Sequence, residues 1–395
     1  MGEWKSFQVG EIGKVITGKT PKTSISDNYG GYIPFLTPSD DMSVKYVRKT
    51  AKTLTEKGLS EVKNAILPAN SVCVSCIGSD LGKVVITTRP TVTNQQINSI
   101  VVDEARFDIS FVYYAMRVLG KKLNFISKTS TAVPIVNKSS FSSYEIECPS
   151  LKEQKQIAAV LSVLDAKIEC NRMINDNLEQ QAATYFQELF INNANPMWQI
   201  STISDLGTVV GGSTPSKTKP EYYTNNGIAW ITPKDLSINK SKFISHGEND
   251  ITELGLKNSS ATVMPKGTVL FSSRAPIGYI AIASNEVTTN QGFKSVVPYL
   301  EIGTAFVYFF LKHSLPVIES AASGSTFKEI SGSAMKNIPA IIPDRSTLDQ
   351  FNSFCAPIFA QQKILEDQNY SLAMLRDSLL PKLMSGAIDI ASIQL

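Results

Sequence analysis

The chain has 395 residues, a formal net charge of +3, 43% hydrophobic residues and five cysteines. That length predicts two or three domains with enough chain for real cores. No apolar run approaches the roughly 18–20 residues a membrane-spanning helix needs, and the opening residues lack a charged region followed by an apolar one, so a cytoplasmic protein is expected.

The charge is unevenly placed. Residues 1–148 carry 18 basic side chains against 13 acidic, and residues 196–343 carry 12 against 10, whereas 149–195 and 344–395 each carry 4 against 6. Positive halves joined by acidic segments suit nucleic acid at the halves and protein at the joins; ordinary surface charge is the plainer alternative. The cysteines, Cys73, Cys76, Cys148, Cys170 and Cys355, are odd in number and follow no disulfide framework. Cys73 and Cys76 have zinc-ligand spacing, but no second pair or nearby histidine completes a site, and residues 71–77 alternate like a strand. No metal is expected.

Taken in chain order, the sequence is written twice. Trp4 returns as Trp198, Ile12-Gly13 as Leu206-Gly207, and Gly18-Lys19-Thr20-Pro21 as Gly212-Ser213-Thr214-Pro215. Thr37-Pro38-Ser39-Asp40 returns as Thr232-Pro233-Lys234-Asp235, Thr55-Glu56-Lys57-Gly58 as Thr252-Glu253-Leu254-Gly255, and Thr93-Asn94-Gln95 as Thr289-Asn290-Gln291. The offset drifts only between 194 and 197, which puts the insertions in loops. Strands are predicted at 71–77, 84–88 and 269–273, and helices at 111–125 and 306–318.

Each half then ends in a long segment of different character. From 151 to about 192, Ile157, Leu161, Leu164, Ile168, Leu178, Ala182, Tyr185 and Leu189 keep alternating 4,3 spacing, with Asn171 and Asn175 as polar seam positions. In the second half Phe354, Ile358, Leu365, Leu372, Leu375 and Leu379 keep it, with Gln361 and Gln368 as the polar positions. Two long helices that pack on each other or on a partner are predicted, each up to ~60 Å long. Pro149 and Pro343 mark their starts.

A module, a long helix, a related module and a second long helix resembles the specificity subunit of a type I restriction–modification enzyme. The resemblance is carried by the twice-occurring ordered set of turns above and by Leu379-Leu380-Pro381-Lys382-Leu383-Met384-Ser385-Gly386. It implies an α+β fold: two homologous mixed target-recognition domains, 1–148 and 196–343, separated by helices 149–195 and 344–395 that pair as an antiparallel coiled coil. It further implies double-stranded DNA as ligand, two adenine-methyltransferase subunits docked on the helices, and restriction and motor subunits in the full complex. S-adenosylmethionine, ATP and magnesium would belong to those partners, with no cofactor, metal or catalysis in this chain.

The residues agree with that division. His246 and His313 have no nucleophile or metal partner in a motif, no phosphate-binding Gly-x-x-x-x-Gly-Lys loop occurs, and Asn195-Pro196-Met197-Trp198 departs from the methyltransferase catalytic turn at its third position. Glu153-Gln154-Lys155 has the end of a nuclease motif, but Pro149 is not followed by Asp. A duplicated protein-binding scaffold and a self-contained DNA-modifying enzyme are the alternatives.

If the two modules read different half-sites, shared residues build the fold or hold phosphates, and divergent residues discriminate bases. Lys19, Thr20, Thr214, Lys217 and Lys234, at or beside the shared turns, are candidates for phosphate, with turn chemistry as the alternative. The amides of Asn94, Gln95, Asn290 and Gln291 are expected to satisfy turn backbone. Divergent candidates are Lys45, Tyr46, Arg48, Lys49 and Lys52 against Asn239, Lys240, Lys242 and His246; Ser79 against Ser273 and Arg274; and Lys128, Thr129 and Ser130 against Ser325, Thr326 and Lys328. Arg274 is the only arginine in 196–343, and arginine bidentate to guanine is the commonest specific base contact, with a surface salt bridge as the equal alternative.

Overall fold

The computed structural model describes residues 4–129, 135–324 and 328–390, without the side chains of Ser79, Ser127, Lys128 and Thr129. The chain resolves into two compact units, Met1–Cys170 with Asn369–Leu395, and Asn171–Gln368. Each unit holds one module and a stretch of each long helix.

In the first unit a five-stranded sheet runs in the order Gly13–Thr17, Ile97–Val102, Val72–Ser75, Val84–Thr87, Tyr46–Val47, antiparallel except for its last pair. A four-stranded sheet is built from Lys52–Leu54, Tyr29–Leu36, Thr91–Thr93 and Ile66–Leu67. Every residue of Val72–Ser75 is buried because both faces of the strand meet a core. Val72 and Val74 pack with Phe111, Tyr114 and Ile100 under the Ile109–Thr129 helix, whereas Cys73 packs with Leu36, Met42 and Val85. A strand between two cores reads as a continuous apolar run.

The second unit repeats the plan. Gly207–Gly211, Lys294–Pro298, Val269–Ser273, Ile277–Ala283 and Phe243–Ile244 form the five-stranded sheet, and Tyr223–Thr224, Asn249–Ile251, Ile228–Ile231 and Thr288–Thr289 the four-stranded one. Val269 and Phe271 face the helix core and Leu270 the opposite one. The predicted 306–318 helix divides into Thr304–His313 and Leu315–Ser320. Pro316 has no N–H for the carbonyl of Lys312, so the first helix cannot continue. Phe186 and Phe190 of the long helix stack into Phe306 and Phe351 at centroid distances of 4.8–5.9 Å. A fully buried phenylalanine contributes on the order of 1.5–3 kcal/mol, so this cluster contributes to fixing module to helix.

The long helices span Leu151–Gln187, with a wider turn over Glu188–Asn192, and Arg345–Met384. Each has its own start signal. Ser150 Oγ accepts from the Glu153 N–H, and the Glu153 carboxylate accepts from the Ser150 N–H, a reciprocal cap that absorbs Glu153. Asp344 caps the second helix; its hydrogen bonds from the Thr347 backbone and the Trp198 indole hold its carboxyl down at about 2.

Within each unit the helices run antiparallel. In the first, Ile157 and Leu161 share a core with Leu380 and Leu383, and Arg376 donates to Asp165 at 2.8 Å. In the second, Asn171 donates to Gln368 at 3.2 Å and Gln350 to Tyr185 at 2.7 Å. The first helix keeps its predicted seam. The second is corrected: Phe354, Gln361 and Leu375 are exposed, and the buried row is Leu348, Phe351, Cys355, Ile358, Gln362 and Leu365. Gln362, not Gln361, is the inward polar residue, donating to the Asn175 carbonyl at 3.2 Å. A 4,3 pattern is satisfied by two registers one residue apart, and the aromatic cluster around Phe351 selects this one.

Candidate DNA-recognition interface

The shared turns are latches. In the first module Asp40 Oδ2 accepts from the Thr37 N–H and hydroxyl at 2.7 and 2.9 Å, while its Oδ1 accepts from the Ala51 N–H at 2.6 Å. In the second, Asp235 Oδ2 accepts from Thr232 at 2.7 and 2.6 Å, and Oδ1 from the Glu248 N–H at 2.8 Å. One buried carboxylate therefore closes each divergent loop at both ends, 41–51 in one module and 236–248 in the other. The loops can differ in sequence because an invariant device holds their ends.

Gly18 and Gly212 are also explained by packing. A Cβ at either would lie 2.1 Å from the carbonyl oxygen of Asn94 or Asn290, so the close approach they permit is to the neighbouring strand. The Thr20 hydroxyl donates to Gln95 Oε1 at 2.6 Å, and Thr214 donates likewise to Gln291. Asn94 and Asn290 accept from the Gln96 and Gly292 N–H groups at 3.1 and 2.8 Å, so the two asparagines satisfy turn backbone as expected, whereas Gln95 and Gln291 hold threonine hydroxyls instead.

Three candidate readers face inward. Lys45 is buried, donates to Ser110 and to Ser162 of the long helix at 3.0 and 2.7 Å, and lies over the rings of Tyr46, Tyr113 and Tyr114. Burial pushes its ammonium down to about 8. Lys242, its counterpart, pairs with Glu179, donates to Gln362 at 2.6 Å and lies 4.1 Å from the Phe359 ring centroid. Lys45 fastens its loop to the first long helix and Lys242 fastens its loop to both, because ammonium on a long stem reaches a polar and aromatic niche underneath. Ser273 is fully buried.

The other described candidates remain on the surface. Lys19, Tyr46, Arg48, Lys49, Lys52, Lys217, Lys234, Asn239, Lys240, His246 and Lys328 are exposed, and Thr20, Thr214 and Arg274 half-buried. Lys234 pairs with Glu248 at 2.6 Å, Lys240 sits 4.7 Å over Tyr279, and His246 Nδ1 is 3.8 Å from Asp250. Ser130, Ser325 and Thr326 lie outside the described residues, as do the side chains of Ser79, Lys128 and Thr129. Burial pushes the Cys73 thiol up to about 12, away from a metal-binding thiolate.

In the second module Thr214, Lys217, Lys234 and Arg274 meet at a cleft of about 840 Å³, whose lining does not include Asn239, Lys240, His246 or Lys328. Its walls include Lys217, Trp230, Lys234, Arg274 and the Thr214–Gln291 pair. Cations, amides and one aromatic wall suit phosphates and base edges. Trp230, whose indole N–H donates to the Ser213 carbonyl at 3.0 Å, was not singled out by sequence; its counterpart Phe35 packs against Tyr29 as Trp230 does against Tyr223.

A twice-built module closed by unlike loops on an antiparallel helix pair is the architecture of a DNA sequence-specificity subunit. The chain belongs to the type I restriction-modification DNA specificity domain family, whose model matches residues 1–180 and 195–367. It is similar to the HindI specificity subunit of Haemophilus influenzae, 22% identical over 98% of this chain and all of that one. It is also similar to the MjaIX specificity subunit of Methanocaldococcus jannaschii, 43% identical over 40% of this chain and 37% of that one. The crystal structure of an M. genitalium type I S subunit shares the fold, with TM-score 0.56 and 16% identity over 97% and 96% of the two chains. As a member of this family the chain is a recognition component, not the catalytic one.

Proposed function

We propose that modules 1–148 and 196–343 each read one half of a split, gapped DNA site, and that helices 149–195 and 344–395 set the gap and dock two adenine-methyltransferase subunits. The observation that carries this reading is the pair of unlike basic loops held by the same carboxylate latch, Asp40 in one module and Asp235 in the other. Arg48, Lys49 and Lys52 are exposed at the first loop, and Lys240 and His246 at the second. The helices offer apolar surface: Val163, Tyr370 and Met374 are exposed in the first unit, and Met173, Ile174 and Ile364 in the second. No described helix is long and apolar enough to cross a membrane, and we place the protein in the cytoplasm with its DNA. S-adenosylmethionine, ATP and magnesium fall to the methyltransferase and motor partners.

The adenine methylome of the source cell, with and without this gene, tests the reading. Loss of one two-part methylated motif on deletion is the expected result. A purified complex with the neighbouring methyltransferase that methylates no such motif would overturn it.

A further inference from the structure

The two modules differ most sharply in chemistry where their central strands end. In the second, Arg274 follows the Val269–Ser273 strand and pairs in antiparallel fashion with Glu329. In the first, Ile77 occupies the same place and pairs with Ile135. The equivalence is fixed by backbone hydrogen bonds on either side: Ser273 N–H to the Gly292 carbonyl and Ile330 N–H to Ser273, against Cys76 N–H to Gln96 and Val136 N–H to Cys76, all 2.7–3.1 Å. One fold position thus carries an ion pair in one module and two isoleucines in the other.

Arg274 Nη1 lies 3.3 Å from Glu329, which also draws Lys294 to 3.7 Å. The strand partner of Lys294 is Gly211, and that of its counterpart Asn98 is Thr17, so this third position has diverged as well. Glu329 is itself held by paired backbone hydrogen bonds with Ser323 at 2.9 and 3.1 Å. A guanidinium has five N–H donors. Glu329 occupies one end of it, and the rest of the half-buried fork borders the cleft. Lys294 neutralises the carboxylate that would otherwise repel DNA.

We propose, resting on the reading above, that this strand-end position distinguishes the half-sites. Arg274, oriented by Glu329 as a positioning residue, takes the O6 and N7 acceptors of a guanine in the second half-site. Ile77 and Ile135 take a thymine methyl in the first. Arginine matches the guanine edge bidentately and apolar side chains match the thymine methyl, so each choice follows from the chemistry present.

The test is made on the purified complex with its methyltransferase, mapping methylated sites for the wild type, Arg274→Ile with Glu329→Ile, and Ile77→Arg with Ile135→Glu. The first double variant is expected to lose one guanine from the second half-site and leave the first half intact; the second is expected to alter only the first half. Glu329→Gln, which keeps the side chain's size, should reduce discrimination for guanine roughly ten- to hundredfold. Replacing that guanine by 7-deazaguanine, which lacks the N7 acceptor, should weaken wild-type binding and leave the Arg274→Ile complex indifferent. A two-part wild-type motif whose halves are unchanged in all three variants, with thermal unfolding also unchanged, overturns the assignment alone. Absence of any two-part motif in the wild type overturns the functional reading with it.

Discussion

Asp235 shows how much one side chain does in this protein. Its buried carboxylate takes three hydrogen bonds, from the Thr232 N–H and hydroxyl and from the Glu248 N–H. Hydrogen bonds to a charged group are each worth about 1.5–3 kcal/mol, so Asp235→Ala should cost at least about 2 kcal/mol in chemical denaturation and raise hydrogen exchange at the Glu248 amide. Lys45 makes the opposite kind of case. Burial holds its ammonium at about 8, whereas an unfolded lysine titrates near 10.5. Between those values the unfolded chain binds more protons, so stability at this site rises with pH from 8 to 10.5 and is lowest below 8. Denaturation of the wild type and Lys45→Met at pH 7 and pH 10 checks the sign: the difference between them should move in favour of the wild type at the higher pH.

At the scale of elements, the helix pair is held by apolar seams with a few polar links. Arg376 and Asp165 form a buried ion pair that also receives the Tyr114 hydroxyl at 2.5 Å, while Arg117 and Lys121 reach the adjoining Asp377 at 3.3 Å. Removing one partner strands the other charge, and Arg376→Ala should destabilise the protein by about 3–5 kcal/mol. Ile168→Pro should break the first helix at a cost of ~3 kcal/mol or more and abolish methyltransferase binding in a pull-down. The helix starts were legible in sequence because Pro149 and Pro343 are local signals, whereas the caps Ser150 and Asp344 that follow them were recognised only in the structure. The seam register of the second helix was not legible. Gln361 and Gln362 are neighbours of the same type, and only the aromatic packing around Phe351 decides which turns inward.

For the molecule as a whole, the reading above predicts salt-sensitive DNA binding, with affinity falling as released counterions demand. Replacing the exposed Lys49 and Lys52 by glutamine should flatten the slope of log affinity against log salt by roughly one to two units, measured by fluorescence anisotropy on a duplex carrying the methylated motif. The duplication, the long helices and the family resemblance were all present in the amino-acid order, because each is a matter of spacing along the chain. Which basic residues face outward was not. Lys45 and Arg48 look alike in one loop, yet a flexible four-carbon stem let Lys45 turn under the loop into a ring of tyrosines. Nor could spacing show that Arg274 meets Glu329, since 55 residues separate them and only strand register brings them together. Sequence determined what repeats; tertiary packing decided where each charge points, because side-chain direction depends on neighbours that are remote along the chain.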